Sequence, residues 1–247
     1  MNLVIITGGS RGIGAATALA CAQRGLGVIV TYKNNPQAAA DVVGKITADG
    51  GTAVALRLDV TDTASFPAFA ATVRDTLQET WGRTDFDYLV NNAGYGLYNP
   101  IVTVTEDEFD GLFQVHLKGP FFLTQTLLPL IADGGHIVNL SSATTRVATA
   151  GVAPYAIFKG GVEVLTRYLA KELGDRRIRA NSVSPGPIRT ELGGGLTPDF
   201  EAHLAARTAL GRVGEPEEVG HVIATLLSDD TRWINAQSLE ISGGFDI

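Results

Sequence analysis

Cysteine is nearly absent from this chain: among 247 residues there is one, Cys21. A single thiol excludes an internal disulfide, and its place in an apolar, Ala-rich run reads as a core thiol rather than a reactive one. Charge is also sparse, at 18% of residues with a net of −7. No basic stretch offsets that balance, since Arg176-Arg177 is too short, and a nucleic-acid partner is therefore not expected. No apolar run is long enough to cross a bilayer, so no membrane association is expected either. Residues 1 to 7 run directly into a strand pattern, so no signal peptide and a cytoplasmic location are expected. The histidines, His116, His136, His203 and His221, are scattered without metal-ligand spacing, and no metal is expected. Linkers, repeats and low-complexity segments are missing too. What remains, at 45% hydrophobic, is a globular composition at a length that one large α/β domain, 1–247, accommodates.

Strand-like and helix-like stretches alternate along that length. Strand patterns occur at Leu3–Thr7, Val28–Tyr32, Ala53–Leu58, Tyr88–Val90, His136–Leu140, Ile178–Val183 and Ser238–Ile241. Helical patterns occur at Ala15–Arg24, Gln37–Ala48, Ala68–Trp81, Glu106–Ile131 and Val152–Leu173. Pro67 suits a first helical turn, while Pro120 falls inside its stretch and is expected to bend it. Alternation of this kind predicts a doubly wound parallel sheet of about seven strands, of the Rossmann type, with helices on both faces. In such sheets ligands bind at the carboxyl ends of the strands. The polar and glycine-rich segments of the chain collect at those ends: the turn after residue 7, Asp59, Asn91-Asn92-Ala93-Gly94, Ser142 and Pro185-Gly186.

The first of these is Gly8-Gly-Ser-Arg-Gly-Ile-Gly14. A strand, a glycine turn and a helix leave unpaired backbone N–H groups at the positive end of a helix dipole, which is an anion site. Gly12 and Gly14 allow close approach of backbone to a pyrophosphate. With 29 glycines in the chain, a Gly-x3-Gly-x-Gly pattern arises by chance about 0.4 times, so its strand-to-helix context carries the argument. The second signal is rarer. Ser142, Tyr155 and Lys159 stand in a Ser-x12-Tyr-x3-Lys array expected by chance only about 0.004 times in a chain of this composition. Tyr155 and Lys159 share one helix face. A nearby ammonium is expected to lower the phenol below its ordinary value near 10, so that Tyr155 exchanges a proton with a substrate oxygen that Ser142 holds.

Taken together, Thr7-Gly8-x3-Gly12-x-Gly14, Asn91-Asn92-Ala93-Gly94, the Ser142, Tyr155, Lys159 array and Ser184-Pro185-Gly186 resemble the short-chain dehydrogenase/reductase family, and the resemblance covers essentially the whole chain. It implies a hydride-transferring oxidoreductase using a nicotinamide dinucleotide on a carbonyl compound or secondary alcohol. It also implies a cofactor site built from Gly8, Ser10, Arg11, Gly12, Ile13, Gly14, Tyr32, Lys33, Asp59, Val60, Asn91, Ala93, Gly94, Tyr155, Lys159, Pro185, Gly186, Ile188 and Thr190. Where NAD-binding relatives place an acid at the end of the second strand, Tyr32 stands here, followed by Lys33 and faced by Arg11. Two cations and no carboxylate fit NADP better than NAD. Residues 189–209, with Gly193-Gly194-Gly195, occupy the place of the family's substrate lid. The flanking Tyr95, Leu97, Tyr98, Ala143, Val147 and Val152 suggest an apolar pocket for a hydrophobic ketone, of 3-oxoacyl or another type. Many relatives read Val-Asn-x-x-Gly where this chain reads Val115-His116-Leu117-Lys118-Gly119. His116 is thus expected to support a proton relay in the asparagine's place. Relatives pair the two long helices, which implies a homo-oligomer, most often a tetramer. Two other readings stay open: a dinucleotide-binding sensor or scaffold without turnover, and a lyase or epimerase on the same cofactor site.

Overall fold

The computed structural model describes residues 1–247. Seven parallel strands form one sheet in the order β3-β2-β1-β4-β5-β6-β7. They are β1 (Leu3–Ile6), β2 (Gly27–Tyr32), β3 (Ala53–Arg57), β4 (Phe86–Asn91), β5 (Ile131–Leu140), β6 (Arg179–Pro185) and β7 (Ser238–Ile241). The alternation of side chains in β1 shows how the sheet is covered. Leu3 and Ile5 enter one core with Phe66, Phe69, Val73 and Leu77 of α3 (Phe66–Trp81) and Leu123 and Leu127 of α5 (Gly119–Leu127). Val4 and Ile6 enter the other, with Ala18 and Cys21 of α1 (Gly12–Gln23), Val42 and Ile46 of α2 (Pro36–Ala48), and Val219 and Ile223 of α8 (Pro216–Leu226). Because each such side chain contributes roughly 1.5–3 kcal/mol on full burial, a one-residue slip of β1 would move its whole apolar set across the sheet. No helix is long and apolar enough to cross a membrane.

The winding reverses at β1, which pairs with β2 on one side and β4 on the other. A crevice therefore opens above the carboxyl end of β1, where the strand order switches. Thr7 closes the end of that strand. Its buried hydroxyl donates to the Val90 carbonyl at 3.3 Å and accepts from the amides of Asn92 at 2.9 Å and Ala93 at 3.0 Å.

The Glu106–Ile131 stretch is not one helix. It divides into α4 (Glu106–Phe113), a π turn (Gln114–Lys118), α5, and a final 3-10 turn (Leu128–Leu130), with Ile131 already opening β5. Thr105 and Glu108 cap α4 reciprocally. Pro120 explains the break. It has no N–H to give the carbonyl of residue 116, so the α ladder lapses at His116 and a wider turn takes over. Pro120 then sits in the first turn of α5, where its missing N–H costs nothing. Two helices lie outside the sequence-based assignments: α7 (Pro198–Ala206), inside the expected lid, and α8. α8 carries proline at its start, an acidic first turn, and Glu218 accepting from the Glu215 amide at 2.8 Å. Its Gly220 packs against the α1 backbone so closely that an added Cβ would lie 2.7 Å from the Ala16 carbonyl carbon. α6 (Ala153–Glu172) carries the second half of the candidate site.

Candidate active site

The glycine turn folds against the end of β4. Gly8 and Gly12 take positive φ values of 64° and 53° that other residues adopt at a cost. A Cβ on Gly14 would run into the Gly8 carbonyl oxygen. The Asn92 side-chain Nδ2 donates to the carbonyls of Thr7 at 2.8 Å and Gly8 at 3.1 Å, clamping the turn from β4. At the head of α1 the Arg11 side chain makes no cap hydrogen bond. The first N–H groups of the helix are thus available for a phosphate, and this tight, uncapped cradle fits a dinucleotide. Thr190 lies opposite Gly12, its Cγ2 at 3.5 Å from where a Cβ would stand. Ser10 and Ile13 complete the turn. Across the crevice, Gly186 donates to the Ile241 carbonyl at 3.0 Å beyond Pro185, and Ile188 bridges to Gly214. Ala93 and Gly94 close the crevice from β4.

Tyr32 and Lys33, expected at the ribose, and Asp59, expected at the adenine, are gathered at the ends of β2 and β3, where Lys33 and Asp59 pair with each other. Lys33 Nζ lies 2.7 Å from Asp59 Oδ2, while Asp59 Oδ1 accepts from the Thr61 amide and hydroxyl. Burial raises the Asp59 carboxyl, but the Lys33 and Thr61 hydrogen bonds outweigh it and hold the group below the usual carboxylate range. Tyr32 is half-buried at the strand end, and Val60 is buried just beyond Asp59. Arg11 meets Glu191 at 3.0 Å, joining the glycine turn to the segment that carries Gly193-Gly194-Gly195. Asn91 ends β4 at the crevice. Its side chain is buried beneath the crevice, donating to Thr124 Oγ1 at 3.1 Å and Asn139 Oδ1 at 2.8 Å. The Asn91 side chain thus braces β4 against β5 and α5.

Ser142, Tyr155 and Lys159 come together where β5 ends against α6. Ser142 is extended and opens a 3-10 turn, Ala143–Thr145. Its Oγ accepts from the Thr144 amide at 3.2 Å and the Thr144 hydroxyl at 2.9 Å. With its lone pairs engaged, the Ser142 hydroxyl keeps its own proton to donate. Lys159 is buried, at 5% exposure, and its Nζ donates to the Leu140 carbonyl at 2.6 Å while lying 5.5 Å from the Tyr155 ring centroid. The electrostatics correct the expectation of a lowered phenol. Burial pushes Tyr155 up to about 12, with only the neighbouring Ser142 hydroxyl working the other way. Burial likewise lowers Lys159 to about 7. A buried amine that is only partly protonated offers less stabilisation to a phenolate than an exposed ammonium, and loss of water dominates both groups.

His116 reaches the same place from the π turn. Its ring stands edge-on to Tyr155 with centroids 5.0 Å apart, and its Nε2 is 2.8 Å from the Tyr95 carbonyl. A carbonyl only accepts, so Nε2 carries the proton and Nδ1 is a bare acceptor. That Nδ1 is buried without a partner. Gly94 makes the room: a Cβ there would lie 2.5 Å from His116 Cε1. Burial, and after it the charge of Lys159, hold His116 well below its ordinary value, against the Tyr95 hydrogen bond. Around this group lie Tyr95, Tyr98 packed over Gly151, and Leu192 over Gly96. The clamp made by Thr7 and Asn92 was in the motifs but its role was not readable from them, since it depends on β1 and β4 being neighbours.

Comparison with known proteins agrees with this geometry. Residues 8–246 match the family model described as Enoyl-(Acyl carrier protein) reductase. An uncharacterised oxidoreductase of Methylorubrum extorquens is 38% identical over 98% of this chain and 97% of its own length. Versicolorin reductase of Emericella nidulans is 34% identical, covering 98% of this chain and 95% of that protein. The crystal structure of an angucycline C-6 ketoreductase with bound NADP superimposes with a TM-score of 0.95 at 36% identity, covering 99% of this chain and 95% of the other.

Proposed function

The chain belongs to the short-chain dehydrogenase/reductase family of oxidoreductases, and on that premise we propose that it reduces an apolar, fused-ring ketone with NADPH. The observation that carries the reading is the meeting of Ser142, Tyr155 and Lys159 at the carboxyl end of β5, beside an uncapped glycine cradle at α1. Gly8 to Gly14, Thr190 and Pro185-Gly186 would hold the dinucleotide, with Lys33 and Arg11 at the ribose phosphate. NADPH when bound supplies the hydride. The chain supplies the proton. Ser142 donates a hydrogen bond to the substrate oxygen and fixes it beside Tyr155. A phenol held near 12 is fully protonated at neutral pH, so Tyr155 stands ready as the acid that gives its proton to that oxygen. Lys159, near 7, can then return a proton to the phenolate. His116 holds the Tyr95 loop and presents Nδ1 as an acceptor for a relaying water.

The substrate class rests on two supports. Tyr98, 70% exposed, and Leu192, 50% exposed, are large hydrophobic side chains that pack over Gly151 and Gly96 and would offer an apolar surface to a substrate. Relatives carry the names versicolorin reductase, probable tetrahydroxynaphthalene reductase and angucycline C-6 ketoreductase, and naphthalene is a pair of fused rings. A 3-oxoacyl substrate on an acidic carrier protein fits a chain of net charge −7 less well. We infer further a single domain with residues 189–209 as its lid, working in the cytoplasm as a homotetramer. Phe121, Ile157, Val164 and Tyr168 on α5 and α6 are all more than a third exposed and would meet their copies there. The test of the function is Tyr155→Phe. It should retain NADPH binding and lose at least about a hundredfold in turnover of a fused-ring ketone, the usual reach of general acid catalysis. Near wild-type turnover in a correctly folded Tyr155→Phe protein would overturn the reading.

A further inference from the structure

Glu163 lies one helical turn beyond Lys159 on the same face of α6, and no step above uses it. One of its carboxylate oxygens, Oε1, is within hydrogen-bond distance of four hydroxyls: Ser141 at 2.7 Å, Thr145 at 3.0 Å, Ser184 at 3.2 Å and Ser238 at 3.2 Å. These come from three strand ends. Ser141 and Thr145 flank Ser142 beyond β5, Ser184 precedes Pro185-Gly186 in β6, and Ser238 opens β7. Each hydroxyl has another acceptor. Ser141 could turn to the Lys159 carbonyl at 3.2 Å, Thr145 to the Ser142 carbonyl at 2.9 Å, and Ser184 and Ser238 to each other at 2.9 Å. A carboxylate accepts only, and charge-assisted hydrogen bonds are about twice as strong as neutral ones. Glu163 therefore selects among these alternatives and draws the hydroxyls to one point.

That point is where the sheet forks. The paired residues of β5 and β6 run to Leu140 and Val183, with a last bond from the Ser141 amide to the Val183 carbonyl at 2.7 Å. Beyond it Ser142 leaves for the 3-10 turn, while β6 continues to Pro185 beside β7. No backbone ladder spans the gap between the serine loop and the Pro185-Gly186 turn. We propose that Glu163 is a positioning residue that sets this separation, and with it the alignment of Ser142 and Tyr155 against the nicotinamide side of the crevice. The proposal rests on the reading of Ser142, Tyr155 and Lys159 as the proton-transfer group.

The test compares Glu163→Ala, Glu163→Gln and Ser184→Ala with the wild type. Glutamine keeps an acceptor oxygen at the same reach. A misplacement approaching an ångström costs up to about a hundredfold in rate, so Glu163→Ala should lose roughly tenfold or more in kcat. KM for the ketone should change by less than about threefold, and Glu163→Gln should recover most of the loss. Amide hydrogen exchange on the cofactor-free protein gives a second readout. Exchange should rise in both segments 141–145 and 184–186 of Glu163→Ala, and in the second alone for Ser184→Ala. A Glu163→Ala protein with lowered Tm but unchanged kcat, or with faster exchange at one segment only, would overturn the proposal. If the wild type reduced no ketone, the functional reading would fall, while the exchange data would still report whether Glu163 ties the two segments.

Discussion

The sharpest test of the site's electrostatics is His116, replaced in turn by asparagine and leucine. The ring donates through Nε2 to the Tyr95 carbonyl at 2.8 Å and leaves Nδ1 as a buried acceptor. Protonation would put a second N–H at Nδ1, where the protein offers no acceptor and Lys159 repels the charge. The imidazole therefore stays neutral well below its ordinary 6.5. A depressed folded value adds stability that is present above the unfolded value near 6.5 and is lost as pH falls below it. His116→Leu strips the Tyr95 carbonyl of its donor, a loss of about 0.5–1.5 kcal/mol for one hydrogen bond. Leucine also removes the acceptor, so kcat should fall by about tenfold or more, within the range of lost proton-transfer assistance. Asparagine can supply both a donor and an acceptor, so His116→Asn should stay within about tenfold of wild type. The assay is NADPH-dependent turnover of a fused-ring ketone from pH 6 to pH 8, on proteins whose folding is checked by thermal melting. The wild-type profile should contain no ionisation near 6.5 that vanishes in His116→Asn. Such an ionisation, or a His116→Asn protein as inactive as Tyr155→Phe, would refute the assignment of a neutral acceptor.

Three further outcomes are expected. His136, fully buried, donates through Nδ1 to the Leu226 carbonyl at 3.0 Å and accepts at Nε2 from Asn181 at 2.8 Å. Burial lowers it to about 3. Urea denaturation should show stability falling as pH drops from about 6.5 toward 3, by up to about 1.4 kcal/mol per pH unit from this group; a His136→Phe protein that keeps the same acid slope would contradict this. Neutralising Arg11 and Lys33 together should weaken NADPH binding by roughly tenfold or more, since a charge-assisted hydrogen bond is worth about 1.5–3 kcal/mol, and should leave NADH nearly unchanged. Equal losses in fluorescence titrations would mean that neither residue reads the 2′-phosphate. Light scattering at micromolar concentration should give a mass near four times 26.0 kDa, and Val164→Glu with Tyr168→Glu should lower it; a wild-type monomer would refute the assembly.

The parallel sheet was legible in the sequence because its strands are short apolar runs alternating with helices, whereas the strand order was not, since several doubly wound orders share that alternation. The catalytic array was legible because its spacing is rare. What escaped depends on contacts that spacing does not encode. The break at His116 was signalled by Pro120, but a bent helix and a π turn share that signal, and only the register at residue 116 separates them. α8 was missed although Pro216-Glu217-Glu218 is a helix start, because its apolar face is defined by α1, nearly two hundred residues earlier. The expected lowering of the Tyr155 phenol fails for a similar reason. A four-residue spacing says that the two groups are close, which suggests attraction between charges. It says nothing about how much water the fold removes around them. In this site water removal exceeds the pairing, raising the phenol and lowering the amine together. The consequence for the proposed reduction is chemical: without cofactor the site holds a protonated phenol beside an amine that can reload it.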